Sequence, residues 1–381
     1  MTFSLRRYSA VFLLPFCFLC CTSQKATTGK AVSGLRFLGE FDLPHRIQFN
    51  GTTVGGLSGI DYNKARDEYY LICDDRSDIN PARYYTAKIA ISNSGIDTVQ
   101  ITSVNTLLNV NGQVYPNRKQ DSLHVPDPEA LRYNPRNNTI VWCSEGERIV
   151  QQGKVLLEDP AIYIANLQGQ TVDSFPLPAN LHMQSIEKGP RRNGVLEGLT
   201  FSPDYKTLYA SVEEPLYEDG PRAGLGDTSG WIRIIQYNME TKQSVAQYAY
   251  RIDPVAEEPV PRGAFIVNGV PDILAINEHQ LLVTERSFST GKPTCNIRVY
   301  LAELNGAADI SGVASLEQNP PRQLLRKTLL LNMNTLHRWI DNVEGATFGP
   351  VLPNGHKSLL FVADDNFASG ERTQFFLFEI Q

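Results

Sequence analysis

The stretch LEGLTFSPD at residues 196–204 joins an acidic residue to a small residue, a short apolar strand and a turn. Variants of this pattern begin at Ser58, Glu129, Asp272 and Glu344, so that it occurs five times at an interval of roughly 70 residues. Each copy is followed by a second apolar strand that leads to another acid, at Asp75, Glu145, Glu214, Glu285 or Asp365. A repeat of this length, filled with short strands, predicts supersecondary units that pack side by side within one domain.

Each repeat predicts four antiparallel strands separated by turns, and the third repeat shows them most clearly, at 199–202, 208–212, 231–238 and 244–251. The fifth repeat lacks a strand after 374–380, and Leu35–Leu43 is predicted to supply it. Pairing the two ends of the chain closes the ring and removes exposed sheet edges. The sequence therefore predicts an all-β fold, a β-propeller of four-stranded antiparallel blades. Five blades are favoured, and six would result if 106–127 or 303–322 held further strands.

The composition is that of one large globular domain. Of 381 residues, 42% are hydrophobic and 20% charged, and 28 glycines and 23 prolines supply many turns. The formal net charge of -6 and the mixing of acidic and basic residues leave no basic surface of the kind that binds nucleic acid. We therefore expect a small-molecule substrate and no nucleic-acid partner, and a closed ring that is stable as a monomer.

The first residues differ from the rest of the chain. Arg6 and Arg7 lead into the apolar run 8–21, which is short for a membrane span and typical of an export signal. We expect a signal peptide at 1–21, either cleaved or of the lipoprotein type with lipidation at Cys20 or Cys21, and a tether at 22–34 before the domain at 35–381. The protein would then be periplasmic, secreted or anchored to the bacterial envelope, with membrane contact only through the lipid.

Beyond the signal the chain contains three cysteines, Cys73, Cys143 and Cys295, an odd number that cannot form a closed disulfide framework. Cys73 and Cys143 occupy equivalent positions in two repeats. We expect them to be small buried side chains of neighbouring sheets rather than metal or redox ligands.

The acids that recur in the repeats are the candidate ligands for a metal ion. The innermost strands of a propeller line its central channel, so acids at equivalent positions of the blades are expected to converge in two rings. The first ring contains Glu129, Glu197, Asp272 and Glu344, and the second contains Asp75, Glu145, Glu214, Glu285 and Asp365. Carboxylates at close quarters need a compensating charge, for which a hard cation with oxygen ligands, calcium first, is suited. The alternative is that these acids hydrogen-bond the backbone amides of the next blade.

Catalytic roles are assigned to Glu197, Glu344, Arg76 and Arg286. The two arginines follow second-ring acids, and a guanidinium beside a bound cation suits a phosphate or carboxylate group, although internal salt bridges would use it equally well. The segment around Ser58 lacks the intervening residue of a nucleophile elbow, so water activated by a metal is the favoured route. The long polar loop 214–230 is expected either to form a rim over this site or to be a solvated insertion.

The motifs DPEAL at 127–131, LEGLTFSPD at 196–204, Glu285-Arg286, and VEGA at 343–346 with Asp364-Asp365-Asn366 resemble those of the phytase-like propellers with esterase-like activity of phytase. The resemblance covers about 35–381. It implies an exported hydrolase-like propeller, which in the better-known phytases depends on calcium and acts on phosphate esters. Two other functions fit the residues, namely a non-catalytic propeller that binds a ligand or an envelope partner, and a lactonase-like propeller.

Overall fold

The computed structural model describes residues 1–4, 32–92, 94–226 and 230–381. Two compact units are distinguished, Met1–Val32 and Ser33–Gln381. The predicted signal peptide at 1–21, with Cys20 and Cys21, and most of the tether at 22–34 lie outside the described residues and stay predictions. In the described ranges no helix is long and apolar enough to cross a membrane.

The unit Ser33–Gln381 is built from antiparallel strands, which in the described part of the chain form five four-stranded sheets. It begins with β1 (Leu35–Leu43) and the short hairpin of β2 (Gln48–Phe49) and β3 (Thr52–Thr53). The first blade contains β4 (Gly59–Asn63), β5 (Glu68–Cys73), β6 (Arg83–Ser92) and β7 (Gly95–Thr106). The second starts with β8 (Pro128–Asn134) and β9 (Thr139–Ser144), continues through the separate hairpin β10 (Glu147–Gln151) and β11 (Lys154–Glu158), and ends with β12 (Ala161–Asn166) and β13 (Thr171–Phe175).

The remaining blades repeat this plan. The third contains β14 (Leu196–Phe201), β15 (Thr207–Val212), β16 (Trp231–Asn238) and β17 (Ser244–Arg251). The fourth contains β18 (Ile266–Asn277), β19 (Gln280–Ser289), β20 (Asn296–Glu303) and β21 (Arg326–Asn332). The fifth contains β22 (Asn342–Val351), β23 (Lys357–Asp364) and β24 (Thr373–Ile380). Short 3₁₀ helices lie at Ala179–Leu181, Tyr217–Asp219 and Met333–Leu336.

The ring closes as predicted, because β1 pairs with β24 as the outermost strand of the fifth blade. The pairing extends from Leu35 opposite Ile380 to Leu43 opposite Thr373. The first strand of each blade, in turn, contacts the first strands of both neighbouring blades, in the order β4, β8, β14, β18, β22 and back to β4. The five-bladed propeller is thereby confirmed.

The six-bladed alternative is excluded by the two long connections. Residues 106–127 and 303–322 are all described. After the end of β7, the first connection contains only bends, turns and isolated bridges of Leu108 to Val114 and to Gln170. The second connection likewise contains turns and no strand after β20 ends at Glu303. Neither stretch therefore provides the hairpins that another blade needs.

The small residue of the repeat has a packing role, since it lets the innermost strands approach each other. A Cβ atom added to Gly59 would lie 3.2 Å from the Cα of Ala130 in the next blade, and one added to Gly345 would lie 3.0 Å from the Cα of Gly59. Buried apolar side chains fill the space between the sheets further out. The Glu-Gly and Glu-Ala pairs of the repeat thus combine a polar group at the channel with the close contact that closes the ring.

Candidate functional site

A pocket of about 650 Å³ opens at one end of the channel. The first strand of a blade starts, and the antiparallel second strand ends, at the same edge of the sheet, so both predicted sets of acids face this end. The acids of the pocket lining include Asp74, Asp75, Asp127, Glu129, Glu145, Glu197, Glu213, Glu214 and Glu344. Its basic lining residues are Arg76, Arg118, Arg192, Arg222 and Arg286. The structure therefore brings together most of the predicted site residues.

The acids that begin the innermost strands lie at irregularities of the β-ladder. In β14 the register with β15 shifts between Leu196 and Gly198, which leaves Glu197 as the extra residue of a β-bulge. The register of β22 shifts in the same way around Glu344, and that of β8 shifts in the segment that contains Glu129. A bulge leaves its extra residue unpaired and redirects the side chain. The repeated bulge accounts for three glutamates that point into one pocket.

Three carboxylates form the tightest group. One oxygen each of Asp127, Glu129 and Glu145 lies within 4.8 Å of the other two, and all three side chains are buried. Glu145 is fixed by its Oε1, which accepts hydrogen bonds from the amides of Gly194 and Val195. Oxygen atoms at this spacing are a suitable set of ligands for a hard divalent cation.

Burial and mutual repulsion change the ionisation of these groups. Burial, with repulsion from neighbouring carboxylates, raises the pKa of Glu129 and of Glu197 well above its ordinary value. Burial raises the pKa of Glu344 to about 8, opposed by the charge of Arg286, and that of Asp74 to about 7. Such a group is costly when ionised without compensation, so the pocket favours either protons or an added positive charge.

Two arginines bring positive charge into the pocket. Arg76 forms ion pairs with Asp127 and, at 3.4 Å, with Glu147. Arg286 pairs with Glu213, and its Nη1 donates to Oδ1 of Asn342 at 2.8 Å. Both guanidinium groups are held by residues of other loops or blades, which fixes their orientation toward the cavity.

Asp272, predicted to be a first-ring ligand, does not line the pocket. Each of its carboxylate oxygens accepts a hydrogen bond from Nη2 of Arg132 at 2.7 Å, and one also accepts from the amide of Ala346. A Cβ atom on Gly198 would approach the Cα of Asp272 to 3.0 Å, so Asp272 occupies the small-residue position of its blade. The position one residue earlier is Pro271, and the fourth blade contributes no acid there.

Three acids predicted for the second ring are occupied by contacts within the protein. Asp75 lines the pocket, but its two oxygens accept from the amides of residues 78–80 and from Arg83. Glu285 lies outside the pocket lining and binds Tyr250, Lys327 and the amide of residue 253. Asp365 also lies outside it and accepts from the amide of Gly56. Asp365 matches the alternative of a hydrogen bond to a backbone amide of the next blade, whereas Asp75 and Glu285 are held by residues of their own or the preceding blade.

Several acids of the site are absent from the sequence prediction. In the first, third and fifth blades, the glycine of the repeat pairs with a residue of the second strand, and an acid lies two residues after that partner. These acids are Asp74, Glu213 and Asp364. Each directly precedes the acid that the repeat pattern selects. Asp127 begins the DPEAL motif without being selected as a ligand. The sequence does show pairs of adjacent acids at 74–75, 213–214 and 364–365. The strand register is needed to decide which acid of each pair points toward the pocket.

Asp364 differs from the other acids in its surroundings. It is completely buried, and within the described chain neither oxygen has a hydrogen-bond partner of normal geometry. Burial, with repulsion from Asp74 and Glu344, raises its pKa well above the ordinary value. A buried carboxyl group without a partner is costly to ionise, so Asp364 favours the neutral form unless positive charge is brought close to it.

The loop predicted as a rim is partly described. Arg222 lies at the pocket and pairs with Glu214, whereas Asp219 points away and forms a buried pair with Arg233. Residues 227–229 of this loop lie outside the described ranges. Ser58 is buried and its hydroxyl group donates to the carbonyl oxygen of Glu129 at 2.7 Å, which leaves it in a structural role.

The cysteines agree with the packing prediction. Cys73, Cys143 and Cys295 are buried and unbridged. Burial raises the pKa of the Cys143 and Cys295 thiols to about 12, so neither forms a thiolate at neutral pH.

The comparisons with known proteins support the family resemblance. The profile described as "Phytase-like: Esterase-like activity of phytase" matches residues 52–367. A comparison with curated proteins gives no match. Similar solved structures include an α-L-arabinofuranosidase from Lactobacillus brevis, 11% identical, with 85% of this chain and 91% of that chain covered and a TM-score of 0.46. They also include a periplasmic gluconolactonase from Pseudomonas aeruginosa, 12% identical, with 92% and 95% covered and a TM-score of 0.34.

Proposed function

The chain belongs to the phytase-like family, and from this premise we propose that it is a hydrolase whose reaction takes place in the carboxylate pocket. Membership of the family supports hydrolysis in general. The finer proposal is the cleavage of a phosphate or related ester with the help of calcium. It is carried by one observation, the convergence of the buried oxygens of Asp127, Glu129 and Glu145 within 4.8 Å of one another in the pocket that Arg76 and Arg286 also line.

The residues of the pocket fit a divalent cation. Asp127, Glu129 and Glu145 would hold it, because hard cations prefer carboxylate oxygens and these side chains are already positioned by the strands. Burial, and then repulsion from neighbouring carboxylates, raises the pKa of Glu129 and of Asp74, and a bound cation would offset both effects. When bound, calcium supplies a charge that polarises an ester oxygen and makes a nearby water molecule easier to deprotonate.

The protein's own groups would orient the substrate and move protons. Arg286 and Arg76 are held by ion pairs within the protein, and their remaining N–H groups would bind a phosphate or carboxylate group. Glu344, whose pKa is raised to about 8 by burial, holds a proton at neutral pH that it can donate to the oxygen of a leaving alcohol. Glu197 lies in the same pocket at an equivalent bulge and would act as its partner in proton transfer. In the overall reaction, water adds to the ester and releases an alcohol and an acid.

The proposal is tested by hydrolysis of a panel of phosphomonoesters, phosphodiesters and carboxylic esters by the mature domain, with calcium and after chelation. Glu197→Gln and Glu344→Gln should each lower kcat by about 100-fold or more, since a positioned acid or base contributes that much. Glu240→Gln, an exposed substitution in a turn of the blade that contains Glu197, serves as the control. Circular dichroism and thermal melting would show that each variant retains the fold.

The outcome separates the proposed hydrolase from its alternatives. Turnover that survives both glutamine substitutions would place the reaction elsewhere. Binding of calcium without turnover of any ester would favour a non-catalytic, ligand-binding propeller, and selective opening of lactones would favour the lactonase-like reading. Export to the periplasm or the cell surface is part of the proposal and rests on the predicted signal at 1–21.

A further inference from the structure

One side of the pocket is apolar, and it is supplied by the fourth blade. Phe265, Val267 and Phe288 line the same cavity as Arg286. The ring centroids of Phe265 and Phe288 lie 6.2 Å apart, with a tilt of 40° between the planes. We refer to these three apolar side chains as the blade-four wall.

The wall follows directly from the strand register. Val267 pairs with Phe288, and Gly269 pairs with Arg286, so the apolar pair lies two residues beyond the arginine along the same hairpin. Residues two apart in a strand point to the same face and are separated by about 7 Å. The guanidinium group of Arg286 is therefore followed, toward the start of β18 and the end of β19, by the apolar side chains of Val267 and Phe288. Phe265 extends this apolar surface.

The hairpin is also shaped to hold Arg286 below this surface. A Cβ atom on Gly269 would lie 2.6 Å from the side chain of Glu213, the ion-pair partner of Arg286. Gly269 lies opposite Arg286 in the paired strand, and its lack of a side chain leaves room for the ion pair between Arg286 and Glu213. The distance between the charged and apolar parts is fixed by two paired strands, β18 and β19, rather than by a flexible loop.

The exposure of Phe265 distinguishes the wall from core packing. Val267 is buried and Phe288 is half-buried, but Phe265 is 63% exposed at the cavity. Single exposed apolar residues occur on most protein surfaces, but here the side chain continues a row of three that faces a pocket rich in charge. A pocket that combines an apolar wall with a few fixed polar groups is the usual form of a small-molecule site.

We propose that the blade-four wall is a subsite for an aromatic group of an anionic ester whose charged group lies at Arg286. The inference rests on the proposed function for the assignment of the charged half of the pocket, and it adds the class of substrate. An ester with an aryl group would bury that group against Phe265 and Phe288, whereas a small, wholly polar ester would leave the wall in contact with water.

The test compares two non-hydrolysable anions, phenylphosphonate and methylphosphonate, whose binding to the mature domain in calcium is measured by calorimetry. The wild-type protein should bind phenylphosphonate roughly tenfold more tightly, because the ring is removed from water. Phe265→Ala should reduce this preference to about twofold or less, and Phe265→Tyr should retain most of it. Val245→Ala removes another exposed apolar side chain, from an outer strand of the third blade, and should leave the preference unchanged.

The same samples are assayed for hydrolysis of phenyl and methyl phosphate, and the effect of Phe265→Ala is expressed as the change in the ratio of their kcat/KM values. An aryl preference in binding that depends on Phe265, without turnover, supports the subsite and contradicts the proposed hydrolase. Turnover of both esters with a ratio that Phe265→Ala does not change supports the hydrolase and overturns the subsite. Equal binding of the two phosphonates, or binding of neither, also overturns it.

Discussion

Arg132 shows how a single buried residue connects the blades at the channel. It belongs to β8, and its guanidinium group donates to the carbonyl oxygens of Leu199, Ile60 and Ala346, in the third, first and fifth blades. Its charge is balanced by Asp272 of the fourth blade. Since all five innermost strands meet at this side chain, three residues along β8 from Glu129, it fills the channel beneath the pocket.

Removal of this charge should destabilise the whole ring. Arg132→Leu leaves the buried Asp272 without its counter-charge and breaks hydrogen bonds to four blades, so the free energy of unfolding should fall by about 3–5 kcal/mol. The double variant Arg132→Leu with Asp272→Leu removes the uncompensated charge and should recover part of the loss. Urea unfolding followed by tryptophan fluorescence measures both effects. A double variant that is no more stable than the single one would show that the ion pair itself is unimportant.

At the scale of elements, the closing strand β1 has the clearest consequence. It covers the edge of β24, and the rings of Phe37 and Phe378 lie 5.5 Å apart across this pairing. A chain that begins after residue 43 would expose an unpaired edge with its apolar face. Its thermal midpoint should fall by about 10 °C or more, and association should increase.

A chain that begins at Ser33 is the matched control, since it retains β1 and its pairing with β24. Differential scanning calorimetry and size-exclusion chromatography compare the two truncations. Equal melting of both would mean that the pairing of β1 with β24 does not hold the ring closed.

The elements also show what the sequence could predict. The repeat located the strands and the closing strand because alternation of apolar residues depends on local sequence. The register of the innermost strands could not be read in this way, since a bulge shifts the pairing by one residue without changing the pattern. The repeat pattern therefore aligns Asp272 with Glu197, although Asp272 occupies the position beside Gly198, and it selects Asp75 in place of Asp74.

The contacts of each acid were equally beyond the sequence. Asp75 and Glu145 are equivalent in the repeat, yet both oxygens of Asp75 accept hydrogen bonds from backbone amides or Arg83. In Glu145 only Oε1 accepts from backbone amides, and its side chain belongs to the three-carboxylate group. Whether an acid is held by hydrogen bonds within the protein or lines the pocket depends on loops from other parts of the chain that pack against it. The blade-four wall has a different origin, since the register of β18 with β19 decides that Val267 and Phe288 pair beside the pocket, and the apolar pattern alone does not give that register.

On the scale of the whole molecule, the pocket couples folding to pH. Burial raises the pKa of Asp74 to about 7 and of Glu214 and Glu344 to about 8, above their ordinary values of 3.8 and 4.5. The folded protein therefore retains protons that the unfolded chain loses. The stability that these groups contribute is fully present below about pH 4 and is lost as the pH rises through 7 to 8.

A bound cation should reverse this trend, and the reversal is the strongest test of the site. Without metal, the contribution of the pocket to the melting temperature should fall between pH 5 and pH 8. Calcium replaces the protons, so its stabilising effect should be small at pH 5 and increase by several degrees toward pH 8. Glu129→Gln should weaken this calcium effect, whereas Glu240→Gln, exposed in a turn, should not. Because binding releases protons, calorimetry in buffers of different ionisation enthalpy should report their number directly. A calcium effect that is absent, or equal at both pH values, would mean that the buried carboxylates are not the ligands.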